Sequence, residues 1–396
     1  MLKLRTRLRT IPFVRRLSDR VRVESWDFFA ALQSSDFLDS SFVLWTSSGD
    51  ASRRKSSSPL KPYLCRLQRT VLVEPRFGFA IADHGLLIET SVSNAYAARD
   101  TYLRTMFGLP SPIRYLEAKI RANSCADLDS VVSMATAWPH NYFHFYRDFL
   151  PKILLMEEAE VDPALPVLVP AGLFDQPFFQ EAVESKRLSR WNFVPIREQF
   201  IKANTIVFCS SNQFFVMDRS VTPEPELLRL ASSGTKFLES PQEVLALLDV
   251  DVIRPQAGAQ RRIFLTRSAD SSRYLLNYEE IEPLLRRHGF ETIDTAGMSL
   301  RQQAQLFSEC RYLIGVHGAG LTNIIYAHDH DLSVLQIRQP GEEHLVTDFA
   351  LMCHSFGFDH QEIFGSSERG HRDDPFRIDA DIFRDAVDSL LTSTRS

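Results

Sequence analysis

Tyr312-Leu313-Ile314-Gly315-Val316 is a short apolar run, His317-Gly318-Ala319-Gly320 is a glycine-rich turn, and Leu321-Thr322-Asn323-Ile324-Ile325-Tyr326-Ala327 reads as a short helix. Another apolar run, SVLQI, follows at 333–337. The same alternation extends upstream: strand RRIFLTR at 261–267, helix NYEEIEPLLRRHGF at 277–290, strand ETIDT at 291–295 and helix LRQQAQLFSEC at 300–310. Single helices joining successive strands through short connections force parallel pairing, so this third of the chain predicts a doubly wound α/β sheet. Local signals agree. Asn277 with Glu280, and Ser299 with Gln302, have the spacing of capping boxes. Gly289 stands where a helix closes in the left-handed conformation.

Open parallel sheets bind ligands at the carboxyl ends of their strands, which is where the turn at 315–323 lies. Its glycines predict positive φ and a close approach of the backbone, and the amides of the new helix suit a phosphate. The pattern is not the dinucleotide fingerprint, because counting from Gly318 the third glycine position is Asn323, and it lacks the Lys-Ser/Thr ending of a P-loop. A turn needed only for packing is the competing reading. Arg262, Arg267 and Arg273 flank the end of RRIFLTR, and an arginine there suits a diphosphate clamp. Arg267, at the strand's end, is the strongest of the three and Arg262, before the strand, the weakest; a surface ion pair is the plain alternative for each.

At roughly 150 residues per domain, 396 residues predict two or three domains. A net charge of −5 argues against a nucleic-acid partner. Five cysteines, none in a C-x-x-C pair, predict reduced thiols, most of them buried. No stretch approaches a membrane-spanning length. Residues 1–22 are basic but hold no apolar signal core; a solvated terminus or a patch on anionic lipid both fit. The Ser- and charge-rich stretch 50–60 predicts an exposed loop, and 70–100 a set of short strands. From residue 130, strand VVSMAT leads to WPHNYFHFYRDFLPKILLMEEAE. There Phe145, Phe149, Ile153 and Met156 mark one apolar helix face, with Leu150 and Leu154 beside it, and Pro151 sits early in the helix or kinks it. PVLVP predicts a strand, FFQEAVESKRL a helix, and NTIVFCS and NQFFVM strands. Residues 222–260 are looser, with helical patches at ELLRLA and EVLALL.

The segments NYFHFYRDFLPKI, IFLTRSADSSRYLLNYEEIEPLLRRHGF and LIGVHGAGLTNIIYA, in this order, resemble glycosyltransferase family 61 over roughly residues 130–340. Asn141, Tyr142, His144 and Pro151 fit the motif of its first domain. Arg267, Arg273, Asn277, His317, Gly318, Ala319, Gly320, Leu321 and Asn323 fit those of its second. Asp148 and Gln336 stand where the family frequently has Glu. The resemblance implies a GT-B-like fold, two Rossmann-like domains facing a central cleft. The looser region around 222–260 marks the expected domain junction, so the chain is expected to divide into an extension and loop at 1–60, an acceptor-side domain at 61–220, a linker region at 221–260 and a nucleotide-sugar-binding domain at 261–396.

It also implies an inverting, metal-independent transferase with no cofactor. Such an enzyme moves a hexosyl or pentosyl group from a nucleotide-diphosphate sugar to a glycan or lipid-linked acceptor in bacterial capsule, exopolysaccharide or lipopolysaccharide synthesis. The expected location is cytoplasmic, with residues 1–22 as the candidate contact to the inner membrane face. In that mechanism the base is His144 or Asp148, four residues apart on one helix face, with a buried structural pair as the alternative. Arg267 and the amides at Gly318–Gly320 stabilise the leaving diphosphate, with Arg273 in support. His317 binds donor sugar or phosphate, Asn323 binds donor or fixes the turn, and Asn141 and Tyr142 lie on the acceptor side. His328-Asp329-His330-Asp331 and Asp127-x-Asp129 are the weaker metal candidates. A non-catalytic nucleotide-sugar-binding protein and a nucleotide-sugar epimerase are the competing functions.

Overall fold

The computed structural model describes residues 37–45, 51–59, 64–75, 77–78, 80–82, 85–87, 125–136, 138–197, 199–209, 217–218, 236–251, 253, 259–267, 273–341, 343, 345–367 and 374–392. The basic stretch 1–22 and the patch ELLRLA lie outside them. The chain divides into two compact units, Met1–Phe215 and Val216–Ser396. Among the described residues no helix is long and apolar enough to cross a membrane.

The first unit holds an antiparallel pair, β1 (Phe37–Trp45) with β2 (Ala51–Pro59). The stretch 50–60, expected as a loop, is therefore largely a strand. Ladder hydrogen bonds are made by the backbone, so Ser, Arg and Lys side chains signal exposure without forbidding pairing. The main sheet contains β3 (Leu64–Val73), β4 (Ala80–Ala82), β5 (Gly85–Leu87), β6 (Ala126–Ser133), β7 (Val167–Pro170), β8 (Phe193–Ile196) and β9 (Ile201–Cys209), in the order β5-β4-β3-β9-β6-β7-β8. It is parallel across β9-β6-β7-β8 and antiparallel from β3 outward. Val131, Leu168, Ile196 and Ile206 from the parallel part pack with Val71 and Val73 in one core.

β6 feeds the aromatic helix. Asn141 caps it, its side chain accepting the amides of Phe143 at 2.9 Å and His144 at 3.4 Å. The helix opens as Tyr142–His144, widens into a π turn at Phe145–Phe149 and continues as Leu150–Glu158. Pro151 explains the widening: it has no N–H to give to the preceding turn, and its ring would crowd an α-spaced carbonyl. Phe145, Phe149, Leu150, Ile153, Leu154 and Met156 are all buried, as their spacing predicts. The helix expected at 178–188 stops at Ala182. There Ser185 accepts the amide of Leu188, which starts a tight turn, and Arg187 is drawn to Glu157.

The second unit is built on β11 (Arg261–Leu265), β12 (Glu291–Ile293), β13 (Cys310–Val316), β14 (Ser333–Arg338) and β16 (Asp359–Phe364), all parallel, in the order β12-β11-β13-β14-β16. β10 (Met217–Asp218) and β15 (Leu345–Val346) form a small antiparallel pair. The helices Tyr278–Arg287 and Ala380–Thr392 pack together, while Leu300–Ser308 packs on Ala319–Ala327, which packs on Asp348–Phe356. This is the doubly wound pattern, with strand order 2-1-3-4-5 and its reversal between β11 and β13. All six residues of β14 are buried, as suits a strand covered on both faces. The helix Pro241–Ala246, within the expected linker, lies in this unit.

Two local expectations hold and one does not. Ser299 and Gln302 form their capping box, and Gly289 takes φ 70°. Asn277 makes no side-chain cap to its own helix. Its amide instead reaches across the fold, donating to the Ile378 carbonyl at 2.8 Å and accepting the Ile378 amide at 3.0 Å. Satisfying two buried backbone groups at once outweighs one local cap.

Candidate functional site

The turn after β13 and the residues after β11 lie at the carboxyl ends of the two strands where the sheet order reverses, the place where such sheets take ligands. Arg267 Nη1 donates to the His317 carbonyl at 3.1 Å, and Arg273 Nη1 reaches the same oxygen at 3.4 Å. Both arginines are half-buried. Arg273 holds φ 64°, a left-handed conformation that costs a non-glycine residue energy and marks a position fixed by its surroundings. Arg262 faces elsewhere: it donates to the His288 carbonyl at 2.7 Å and covers the Tyr312 ring.

The glycines of the turn supply space rather than positive φ, contrary to expectation. Gly315, Gly318 and Gly320 are absent from the left-handed region, and Gly318 is extended at φ 165°. A Cβ on Gly318 would overlap Arg267 Nη1 and stand 3.1 Å from Arg267 Cζ. Gly318 therefore makes room for the guanidinium. The following helix, Ala319–Ala327, is a 3-10 helix. Thr322 Oγ1 donates to the Ala319 carbonyl at 2.6 Å, and Asn323 Nδ2 donates to Gln303 Oε1 at 2.8 Å. Asn323 is fully buried, so it pins the turn to the neighbouring helix. Leu321 is fully buried as well. Asn277, held by Ile378, stands as a strut of the fold.

His317 is fixed from below. Its amide donates to the Ile337 carbonyl at 2.8 Å, its ring Nδ1 lies 2.6 Å from Gln336 Nε2, and Phe349 meets its face edge-on. Gln336 was legible only as a departure from a family pattern. Its partners Thr347 and His360 carried no sequence signal, because side chains far apart in the chain meet there only once the sheet has formed.

In the first unit, His144 Nδ1 lies 2.6 Å from Asp148 Oδ2, across the π turn. The imidazole stacks on Trp138 with centroids 4.1 Å apart. Asp148 is buried. Burial alone would raise its carboxyl, but the charge and hydrogen bond of His144, with Arg147 and Lys152 nearby, outweigh it and hold the carboxyl below its ordinary range. One turn further along, Lys152 is also buried and donates to the Ala135 carbonyl at 2.8 Å. Burial lowers its ammonium to about 8 against the pull of Asp148. Its i+4 spacing from Asp148 was the signal that could have marked it. Tyr142 is half-buried, its hydroxyl 3.3 Å from that of Tyr146.

The metal candidates are committed elsewhere. His330 Nε2 meets the Cys310 carbonyl at 2.9 Å, His328 Nδ1 meets the Ile325 carbonyl at 2.9 Å, and Asp127 pairs with Lys202 at 3.0 Å. Among the described residues no group of three His, Cys, Asp or Glu is placed to hold a metal. Cys209, Cys310 and Cys353 are buried free thiols, and burial pushes that of Cys209 up to about 12.

The family described as Glycosyltransferase 61 matches this chain over residues 142–334. The matched span takes in His144, Asp148, Arg267, Arg273 and the whole turn, and ends short of Gln336. No curated protein matches the chain.

Proposed function

Because the chain belongs to glycosyltransferase family 61 through residues 142–334, we propose that it is an inverting, metal-independent enzyme. It moves a sugar from a nucleotide-diphosphate sugar to a glycan or lipid-linked acceptor in bacterial surface polysaccharide synthesis. The observation that carries the reading is the meeting of Arg267 and Arg273 on the His317 carbonyl, at the strand-order reversal of a parallel sheet.

In an inverting transfer the acceptor oxygen attacks the anomeric carbon from the face opposite the leaving group. The bond from that carbon to the diphosphate oxygen breaks, and the acceptor hydroxyl loses its proton. The proton goes to His144 Nε2. Asp148, kept ionised, accepts a hydrogen bond from Nδ1–H and so orients the ring and stabilises the imidazolium that forms. The departing diphosphate gains charge, which Arg267, Arg273 and the first amides of the 3-10 helix offset. The GT-B organisation belongs to this reading, with acceptor chemistry on the first Rossmann-like unit and donor chemistry on the second. So does a cytoplasmic location in which the basic residues 1–22 touch anionic lipid.

A thermal-shift screen of nucleotide sugars followed by a transfer assay tests the proposal. The expected result is stabilisation by one nucleotide family, then transfer to a saccharide acceptor with inverted anomeric configuration and no loss of rate in chelator. Binding without turnover in any acceptor panel would replace it with a non-catalytic binding protein. Interconversion of the nucleotide sugar with no acceptor present would replace it with an epimerase.

A further inference from the structure

Gln336 sits at the middle of a buried polar network that touches the turn directly. It is fully buried on β14, paired across the sheet with Gly315. Three groups converge on its amide. Thr347 Oγ1 lies 3.2 Å and His360 Nε2 lies 3.0 Å from Oε1, and His317 Nδ1 lies 2.6 Å from Nε2.

The network fixes which end of the amide faces which neighbour. Thr347 caps the helix Asp348–Phe356, accepting the Ala350 amide at 3.0 Å. One lone pair of the hydroxyl thus already serves a backbone donor, and its own proton is available to Gln336 Oε1. With Oε1 facing it at 3.0 Å, the His360 ring is placed to donate from Nε2–H to the same oxygen. With both acceptor positions of Oε1 taken, the amide presents N–H to His317. A side-chain amide in the opposite orientation would aim N–H groups at the Thr347 hydroxyl and leave that hydroxyl's proton with no acceptor among these groups.

Since His317 Nδ1 receives an N–H from Gln336, it holds a lone pair, and the ring's proton resides on Nε2. A second proton on Nδ1 would set two N–H groups against each other at 2.6 Å. It would also add a positive charge beside two guanidiniums that already meet at the His317 carbonyl. We propose that Gln336 is a positioning residue that locks His317 as the neutral Nε2–H tautomer, so that the ring offers the donor substrate a hydrogen bond rather than a base. This rests on the reading of the turn as the donor site. The oriented N–H suits a phosphoryl oxygen or a sugar hydroxyl acting as acceptor.

The test is long-range proton–nitrogen NMR on the full chain labelled with 15N-histidine, the His317 signals being assigned by their loss in H317N. Wild type is expected to show Nδ1 unprotonated and Nε2 protonated. Q336E replaces the facing N–H by a carboxylate oxygen, so Nδ1 is expected to gain a proton, while the His144 pattern stays as it was. A protonated Nδ1 in wild type overturns the proposal even if Q336E does not fold. An unchanged His317 pattern in Q336E also overturns it. The outcome is separable from the functional reading: the expected tautomer in a protein that binds no nucleotide sugar supports the lock and refutes the donor site.

Discussion

Replacing Gly318 by Ala tests whether this glycine exists to seat Arg267. At φ 165° the backbone is extended, a conformation alanine adopts freely, so no strain is introduced. The new Cβ overlaps Arg267 Nη1 and lies 3.1 Å from Cζ. Restoring ordinary contact near 3.5 Å moves the guanidinium by about 1 Å or more. The fold loses one charged hydrogen bond, worth about 1.5–3 kcal/mol, and gains about 0.4–1 kcal/mol from the stiffer unfolded chain. Net destabilisation is therefore about 0.5–2.5 kcal/mol. Activity suffers more. A misplacement of about 1 Å in a positioning group costs on the order of 100-fold in rate, about 2.7 kcal/mol of barrier. R267A removes the group and is expected to lose about 100- to 1000-fold. The decisive assay is a double-mutant cycle on kcat/KM with the nucleotide sugar that wild type uses. If the glycine acts only through Arg267, G318A is nearly silent in the R267A background, and the coupling energy is about 2 kcal/mol or more. A second 100-fold loss in that background, or near-wild-type turnover by G318A alone, refutes the reasoning.

Three further outcomes follow from the geometry. H144N and D148N should each lower kcat, with H144N losing about 100- to 10,000-fold and both proteins still binding donor; near-normal turnover in both, measured by product formation, would remove the pair from the mechanism. Lys152, lowered from its ordinary 10.5 to about 8, gives a signed pH effect. Between those values the unfolded chain binds a proton that the native state lacks, so the native state gains stability as pH rises from about 8 to 10.5, on the order of 3 kcal/mol in total. Urea unfolding should show wild type gaining stability relative to K152M across that window; a flat difference contradicts the burial cost assigned to the ammonium. N277A strands the Ile378 amide and carbonyl and should cost about 2–5 kcal/mol of stability, while leaving the donor dissociation constant unchanged; a tenfold weaker donor complex in a well-folded N277A protein would return Asn277 to the site.

The sequence was most legible where local rules act alone. Ser299 and Gln302 three residues apart at a helix start, Gly289 at a helix end, and the apolar ladder from Phe145 to Met156 needed no tertiary knowledge. The parallel sheet of the second unit followed from alternation, and the order of its strands put Arg267 and the turn together. Illegible parts depended on groups distant in the chain. Asn277 has every local reason to cap its helix, yet Ile378, 101 residues away, claims its amide. The polar stretch 51–59 gives no strand signal, because the pairing lies in its backbone and in β1. At Gly318 the sequence predicts a positive φ and a close approach to a ligand, whereas the glycine's neighbour is Arg267, 51 residues earlier, and its backbone is extended. The amide of Gln336 gathers Thr347, His360 and His317 from three separate parts of the chain, and no periodicity encodes that meeting.

The grip of Arg267 and the His317 turn on a pyrophosphoryl group is measured most directly by calorimetric titration of nucleoside diphosphates into wild type, R267A and the control R286A, whose arginine is exposed on the helix Tyr278–Arg287. The account predicts that one diphosphate binds wild type and R286A alike, and that R267A weakens it at least tenfold, about 1.4 kcal/mol. Equal affinity in R267A and wild type, in proteins of equal fold, would contradict it.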